Sequence, residues 1–236
     1  MEYKRLKELK NYDLVPHSYY HDTFQKSFEM APHCHPYIEI MYCRKGEFVL
    51  EIFRKNKANE PKTDKRVLYE KQFVLIDSGT IHGMHIESES PAFISNLEWK
   101  PVPQSCRDRE LNELIQLDTR AFFESFEGLR RFLFASSGYV IALDGENVEH
   151  YLVHYINLAK SQAESPSLSV LCNLQARFIQ LLTELDKCFS NSDISTGINY
   201  IRRAQAFIKN NFNRALTVEE ISAHTGITKG YLQRLF

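Results

Sequence analysis

Short stretches rich in β-branched and aromatic residues fill the first hundred positions of this chain, and from about Pro101–Pro103 onward the apolar residues take up helical spacing. That switch of period restricts the chain to an α+β arrangement, because strands strung together without intervening helices pair into a sandwich or small barrel. The strand-like stretches are YIEIMYC, EFVLEIF, RVLYE, QFVLI and AFISNLEW, separated by turn-prone KG, NKANEPKTDK, DSGT and ESESP. Beyond the switch, Leu111, Leu114 and Ile115, then Leu129, Phe132 and Leu133, are spaced for helices. The periodicity predicts one helix over about 146–160, with Val148, Leu152, Tyr155, Ile156 and Ala159 on a stripe. A second opens at Ser167 or Ser169 and runs to about Phe189, with Leu171, Leu174, Phe178, Leu181, Leu182 and Leu185 on one face. Such stripes usually meet the core of their own chain, but Leu152, Ile156, Leu171, Leu174, Phe178 and Leu181 are also the candidates for a dimer face.

At 236 residues, 43% hydrophobic and 25% charged, the chain is average for a globular protein, which excludes disorder and collagen-like or disulfide-stapled miniprotein classes. No run approaches the roughly 18 apolar residues of a membrane helix, and the start lacks the apolar core of a secretory signal. A cytoplasmic protein with no membrane partner is therefore expected. Its five cysteines (Cys34, Cys43, Cys106, Cys172 and Cys188) are odd in number and contain no C-x-x-C pair, so buried reduced thiols are expected. The net charge of −1 conceals an asymmetry: from Ser195 onward six basic residues face two acidic ones, a tail of +4 on an acidic body. An anionic partner for the tail follows.

The tail also carries a motif. Ile198, Ile201, Ala204, Phe207 and Ile208 stripe a first helix; Thr217 and Glu220 can form a capping box for a short second helix, Val218 to about His224. Gly226 can supply the positive φ of a tight turn, and Thr228 can cap a third helix, with Ile221, Ile227, Leu232 and Leu235 facing inward. Helix, glycine turn and helix is the helix-turn-helix pattern, whose second helix enters the major groove. On it Gln233 and Arg234 suit base edges, whereas Thr228, Lys229 and Tyr231 suit phosphates. The stretch YIRRAQAFIKNNFNRALTVEEISAHTGITKGYLQRLF resembles the start of the DNA-binding domain of AraC/XylS-type transcriptional regulators. The resemblance implies sequence-specific operator binding, with Gln233 and Arg234 on base-contacting positions and Gly230 on another that usually carries a larger side chain. Members of that family carry two such units, and this chain reaches Phe236 inside the first recognition helix. An incomplete domain that holds an operator weakly is the expectation.

A second constellation lies upstream. Alternation along a strand places His33, His35, Tyr37, Glu39, Met41 and Cys43 on one face, with Cys34, Ile38 and Ile40 on the other. Two imidazoles and a carboxylate, joined by His82 after a turn, could close around a divalent Zn, Mn, Fe or Ni ion, with satisfied barrel histidines as the alternative. The spacing H-x-H-x3-E-x6-G (His33 to Gly46) and G-x2-H (Gly79 to His82) resembles the two motifs of cupins, small β-barrels with a ligand site in the mouth. Ser27 and Lys71 stand where those motifs have Gly, Asp77 where they have Pro, and Ile86 where they have Asn. Regulators of the AraC type carry a cupin-like effector domain, so the two resemblances agree. Tyr37, Glu39, Tyr42 and Trp99 are the candidate contacts for a sugar-sized effector, with a core role for Trp99 as the alternative.

The expected organisation is a cupin-like effector domain at 1–103, a helical linker at 104–194 that dimerises, and the truncated helix-turn-helix domain at 195–236. The expected function is ligand-responsive transcription regulation by a homodimer with no catalytic residues. A metal-dependent cupin oxygenase or isomerase is the alternative.

Overall fold

A computed structural model describes residues 4–9, 12–55, 61–103, 119–145, 147–165, 167–190, 200–201, 204–205, 207–208 and 211–235. The strands are β1 (Tyr12–Phe24), β2 (Glu29–His33), β3 (Ile38–Lys45), β4 (Glu47–Lys55), β5 (Pro61–Tyr69), β6 (Gln72–Ile76), β7 (Ile81–His85), β8 (Ala92–Pro103) and β9 (Tyr139–Leu143). They form two antiparallel sheets, ordered β1-β8-β3-β6-β9 and β2-β7-β4-β5. The helices of the same part of the chain are α1 (Thr119–Ser125), α2 (Glu127–Leu133), α3 (Val148–Glu164) and α4 (Leu168–Ser190).

The five-stranded sheet is covered on both faces, which is why β3 and β6 read as continuous apolar runs rather than as alternating ones. One face carries Ile38, Ile40, Tyr42, Phe73, Leu75, Leu97 and Trp99 into a core shared with the helices. The other sends Met41, Cys43, Val74, Ile76 and Ile94 against Phe48, Leu50, Ile52, Leu68 and Met84 of the four-stranded sheet. Three layers result: helices, sheet, sheet. The double sheet agrees with the cupin-like domain that the motifs imply.

The four turn positions that the motifs assign to glycine all hold a left-handed backbone. Ser27, Gly46, Lys71 and Gly79 have φ of 70°, 79°, 66° and 71°. Ser27 and Lys71 thus keep the turn at a cost of order 1–2 kcal/mol each. Asp77 does what a proline could not: its Oδ1 accepts hydrogen bonds from the Leu6 and Ser78 amides, at 3.0 and 2.9 Å, and ties the N-terminal turn to the sheet.

Three expectations change. The boundary at 103/104 does not separate compact units; Met1–Phe189 is one unit and Ser190–Phe236 the other. The reason is β9, which hydrogen-bonds to β6, and the stripes of α3 and α4, which pack on the sheet of their own chain. Leu152, Ile156, Leu174, Phe178 and Leu181 are therefore core residues rather than a dimer face, and Leu171 is half-buried. Cys43 and Cys188 are buried free thiols as expected, but Cys172 is exposed and Cys34 half-exposed. Cys106 and the Leu111, Leu114 and Ile115 stretch lie outside the described residues.

In the second unit the described residues between 200 and 211 are helical, followed by α5 (Val218–Thr225) and α6 (Lys229–Leu235). Ile198 lies outside the described residues. Thr217 Oγ1 accepts the Glu220 amide at 3.2 Å and Glu220 Oε2 accepts the Thr217 amide at 2.9 Å, so both halves of the capping box are present. Gly226 closes α5 at φ 74°, a left-handed C-cap. Leu232 and Ala204 are buried, Ile221 and Ile227 half-buried. No described helix is long and apolar enough to cross a membrane.

Candidate metal centre between the two sheets

The site is assembled from both sheets. His33 ends β2 and His82 lies opposite it on β7, so their rings meet across the four-stranded sheet with centroids 4.5 Å apart. Glu39 leaves β3 of the other sheet on its inner face, two positions before Met41. His35 stands on the connection between β2 and β3, fixed by the Gly79 amide, which donates to its carbonyl at 2.9 Å. Motif one and motif two are thereby joined through the backbone.

His35 Nε2 and His82 Nε2 lie 3.2 and 2.9 Å from Glu39 Oε2, which is 3% exposed. One ring nitrogen each of His33, His35 and His82 lie within 4.8 Å of one another. Neighbouring ligands about 2.1 Å from one six-coordinate ion stand about 3.0 Å apart, so Glu39 and the His35 and His82 rings are spaced as a shared cation requires. The outer nitrogens agree. His33 Nδ1 bonds the Ala31 carbonyl at 3.0 Å and His82 Nδ1 the Thr80 carbonyl at 2.9 Å. A backbone carbonyl takes only an N–H, so each ring in its neutral form turns an Nε2 lone pair inward, the arrangement by which proteins orient metal-binding imidazoles. His82 Nε2 and His35 Nδ1 are buried without an aligned hydrogen-bond partner among the described residues. The residues present fit a divalent ion.

The electrostatics are those of a charge held in a dry place. Burial alone would raise the Glu39 carboxyl, but the His35 and His82 imidazoles against its Oε2 hold it down at about 2. Burial would lower His82, and the Glu39 carboxylate outweighs it and raises the imidazole.

Of the expected effector contacts, Tyr37 and Glu39 belong to this cluster; the Tyr37 ring stacks 5.3 Å from His35. Tyr42 and Trp99 do not, because alternation puts them on the helix side of the sheet. Tyr42 Oη donates to Asp144 Oδ2 at 2.8 Å, and Trp99 packs 5.7 Å from Phe178 and 6.3 Å from Tyr155. His85, farther along β7 from His82, pairs with Glu87 at 2.9 Å. Residues that the sequence reading missed are Glu98, Asn96 and Tyr20. Glu98 pairs with Glu39 across β8 and β3, and Asn96 pairs with Tyr20 across β8 and β1. Period two along AFISNLEW, which sets Ile94, Asn96 and Glu98 on one face, would have found the first two.

A separate cavity of about 250 Å³ lies between the start of β1 and helices α3 and α4, walled by Leu14, Val15, Tyr155, Leu174 and Phe178. It shares no residue with the His/Glu cluster and holds no comparable set of ligating groups.

In the second unit Thr228, Lys229 and Gln233 are exposed, with Lys229 Nζ paired to Glu219, and Tyr231 is half-buried beside Tyr200 at 6.0 Å. Arg234 lies in α6 and its side chain is outside those described. Gly230 has nothing within 4 Å of where a Cβ would stand.

No family model and no curated protein matches the chain. Similar solved structures include the Bacillus halodurans protein BH2720, at 13% identity and TM-score 0.30 over 36% of this chain and 62% of that one. Bacillus subtilis oxalate decarboxylase, studied for its Mn(II) centers, is 17% identical with TM-score 0.27 over 33% of this chain and 20% of that one. An oxalate oxidase in complex with the substrate analogue glycolate is 18% identical with TM-score 0.31 over 41% and 55%. This chain spans less than two thirds of each.

Proposed function

We propose that this chain is a cytoplasmic, ligand-responsive transcription regulator of the AraC/XylS type, with a cupin-like sensor and a helix-turn-helix of which Gln233 and Arg234 read bases while Thr228, Lys229 and Tyr231 hold phosphates. On this reading none of the described residues is catalytic. What supports the reading is the run from Thr217 to Thr228: a reciprocal capping box, a left-handed Gly226, and a Thr228 Oγ1 that accepts the Tyr231 amide at 3.3 Å, the punctuation that a helix-turn-helix needs. The partners are operator DNA, a second copy of the chain and a small polar effector such as a sugar, held by Tyr37 and Glu39. Effector binding must favour one of two arrangements, because a ligand with equal affinity for both shifts nothing.

The test is selection of duplexes from a random-sequence pool by this chain at low salt, followed by Gln233→Ala. The reading predicts an enriched sequence, weakened by salt, with specificity at one base pair relaxed by about 1–3 kcal/mol in the variant. A pool that returns unenriched contradicts it.

A second reading, a divalent-metal cupin enzyme, is favoured by one observation: the buried His82 Nε2 that faces Glu39 without an aligned partner. His33, His35, Glu39 and His82 would hold the ion, which when bound supplies a Lewis acid. The two readings share the metal centre and differ in its use. Substrate turnover by the loaded chain would favour the enzyme, and metal-dependent change in DNA affinity would favour a metal-sensing regulator.

A further inference from the structure

The cluster contains more donors than the motif names. Glu98 is the cross-strand partner of Glu39, so both carboxylates leave the five-stranded sheet on the same inner face. One ligand atom each of His35, Glu39 and Glu98 lie within 4.8 Å of one another, and this triad shares His35 with the triad of three imidazoles. Two neighbouring carboxylates on one inner face repel each other, and a bound cation or a shared proton relieves that. Beside them Asn96 Oδ1 and Tyr20 Oη are buried with no hydrogen-bond partner among the described residues, and Asn96 is 2% exposed. Such groups cost roughly 1–3 kcal/mol each when left unmade, and they belong to a site that something else completes.

Resting on the reading of this interior as a metal centre, we propose that Glu98 is a fifth protein ligand. One divalent ion is then shared by the two triads, His33, His35 and His82 with His35, Glu39 and Glu98, whose side chains must draw together around it, and Tyr20 and Asn96 are placed to hydrogen-bond the water or effector atom that completes its shell. Two carboxylates neutralise the ion, and five mixed N and O donors suit a six-coordinate Mn or Fe better than a tetrahedral Zn. At most one position stays open. That favours a retained, sensed ion over chemistry that needs two adjacent open positions for substrate and a second reactant.

The test is titration of Co(II) into the metal-free full chain, followed by calorimetry and by visible absorption, which strengthens as the coordination number falls. Glu98→Gln should weaken Co(II) binding roughly tenfold or more and intensify the visible bands. Glu98→Asp, which keeps the carboxylate, should recover part of the affinity; a role in folding alone would not produce that order. Wild-type affinity and spectrum in Glu98→Gln, with binding weakened in Glu39→Gln, would overturn the fifth ligand and leave the four-residue centre standing. A wild-type chain that takes up no Co(II) would overturn both.

Discussion

Asp144 shows how much a single carboxylate can organise. Its Oδ1 accepts the Val148 amide and its Oδ2 the Glu149 amide, both at 3.0 Å, capping α3, while Oδ2 also receives the Tyr42 hydroxyl at 2.8 Å. Asp144→Ala should therefore destabilise the chain by about 2–4 kcal/mol in urea melts, since it removes a cap and strands a buried hydroxyl. Tyr42→Phe should change stability less and leave metal binding untouched; loss of metal in that variant would return Tyr42 to the site. Asp64 joins the two sheets: Tyr139 Oη donates to its Oδ2 at 2.6 Å, and Arg54 and Arg66 each lie 3.2 Å away. Burial would raise its carboxyl, but the Tyr139 hydroxyl and the two guanidinium groups hold it below the ordinary value. A depressed folded pKa stabilises above the unfolded value and is lost as pH falls through the folded one. Asp64→Asn should thus cost about 1–3 kcal/mol at pH 7, a difference that shrinks below about pH 4. A difference constant from pH 7 to pH 3 would contradict this. At this scale the His/Glu cluster was legible, because H-x-H-x3-E and G-x2-H place charged groups at fixed offsets that no core requires. Glu98 was not, since nothing local ties one acidic residue in AFISNLEW to a histidine more than sixty positions earlier.

Elements with strong periodicity were legible in the sequence almost to the residue. The stripe Val148, Leu152, Tyr155, Ile156 and Ala159 is the set of residues that α3 buries, and Ser167 opens α4, its Oγ accepting the Val170 amide at 3.2 Å. What a stripe cannot state is its partner. Phe178 lies between Trp99 and Tyr155 of its own chain, so Phe178→Ala should cost about 3–5 kcal/mol, and Phe178→Asp should unfold the first unit rather than dissociate a dimer. A folded monomeric Phe178→Asp chain would restore the dimer face. Strands β1, β2 and β7 were missed as separate elements because they carry few consecutive apolar residues, and β1 buries only part of its length. β9 was missed because a five-residue YVIAL inside helically spaced sequence is too short to show a period of its own.

On the scale of the whole molecule, the texture change at 101–103 marks a change of secondary structure, not of domain. Sheets and helices share one core, and the division falls at 189/190. A chain shortened to its first 190 residues should keep the cooperative melt and the metal affinity of the full chain, as both cores and all the candidate ligands lie within it. Failure of that piece to fold would place part of its stability in the second unit. The interior of the double sheet is the candidate cation site on which both functional readings depend. The direct test is thermal melting of the metal-free chain against Mn(II), Fe(II), Ni(II) and Zn(II), beside His33→Ala/Glu39→Gln. A specific site filled to about 100 times its Kd adds about 2.7 kcal/mol, or a rise of about 5–10 °C for a unit of this size. The account predicts that rise in the wild-type chain and none in the double variant; equal melting of both with every ion would contradict it.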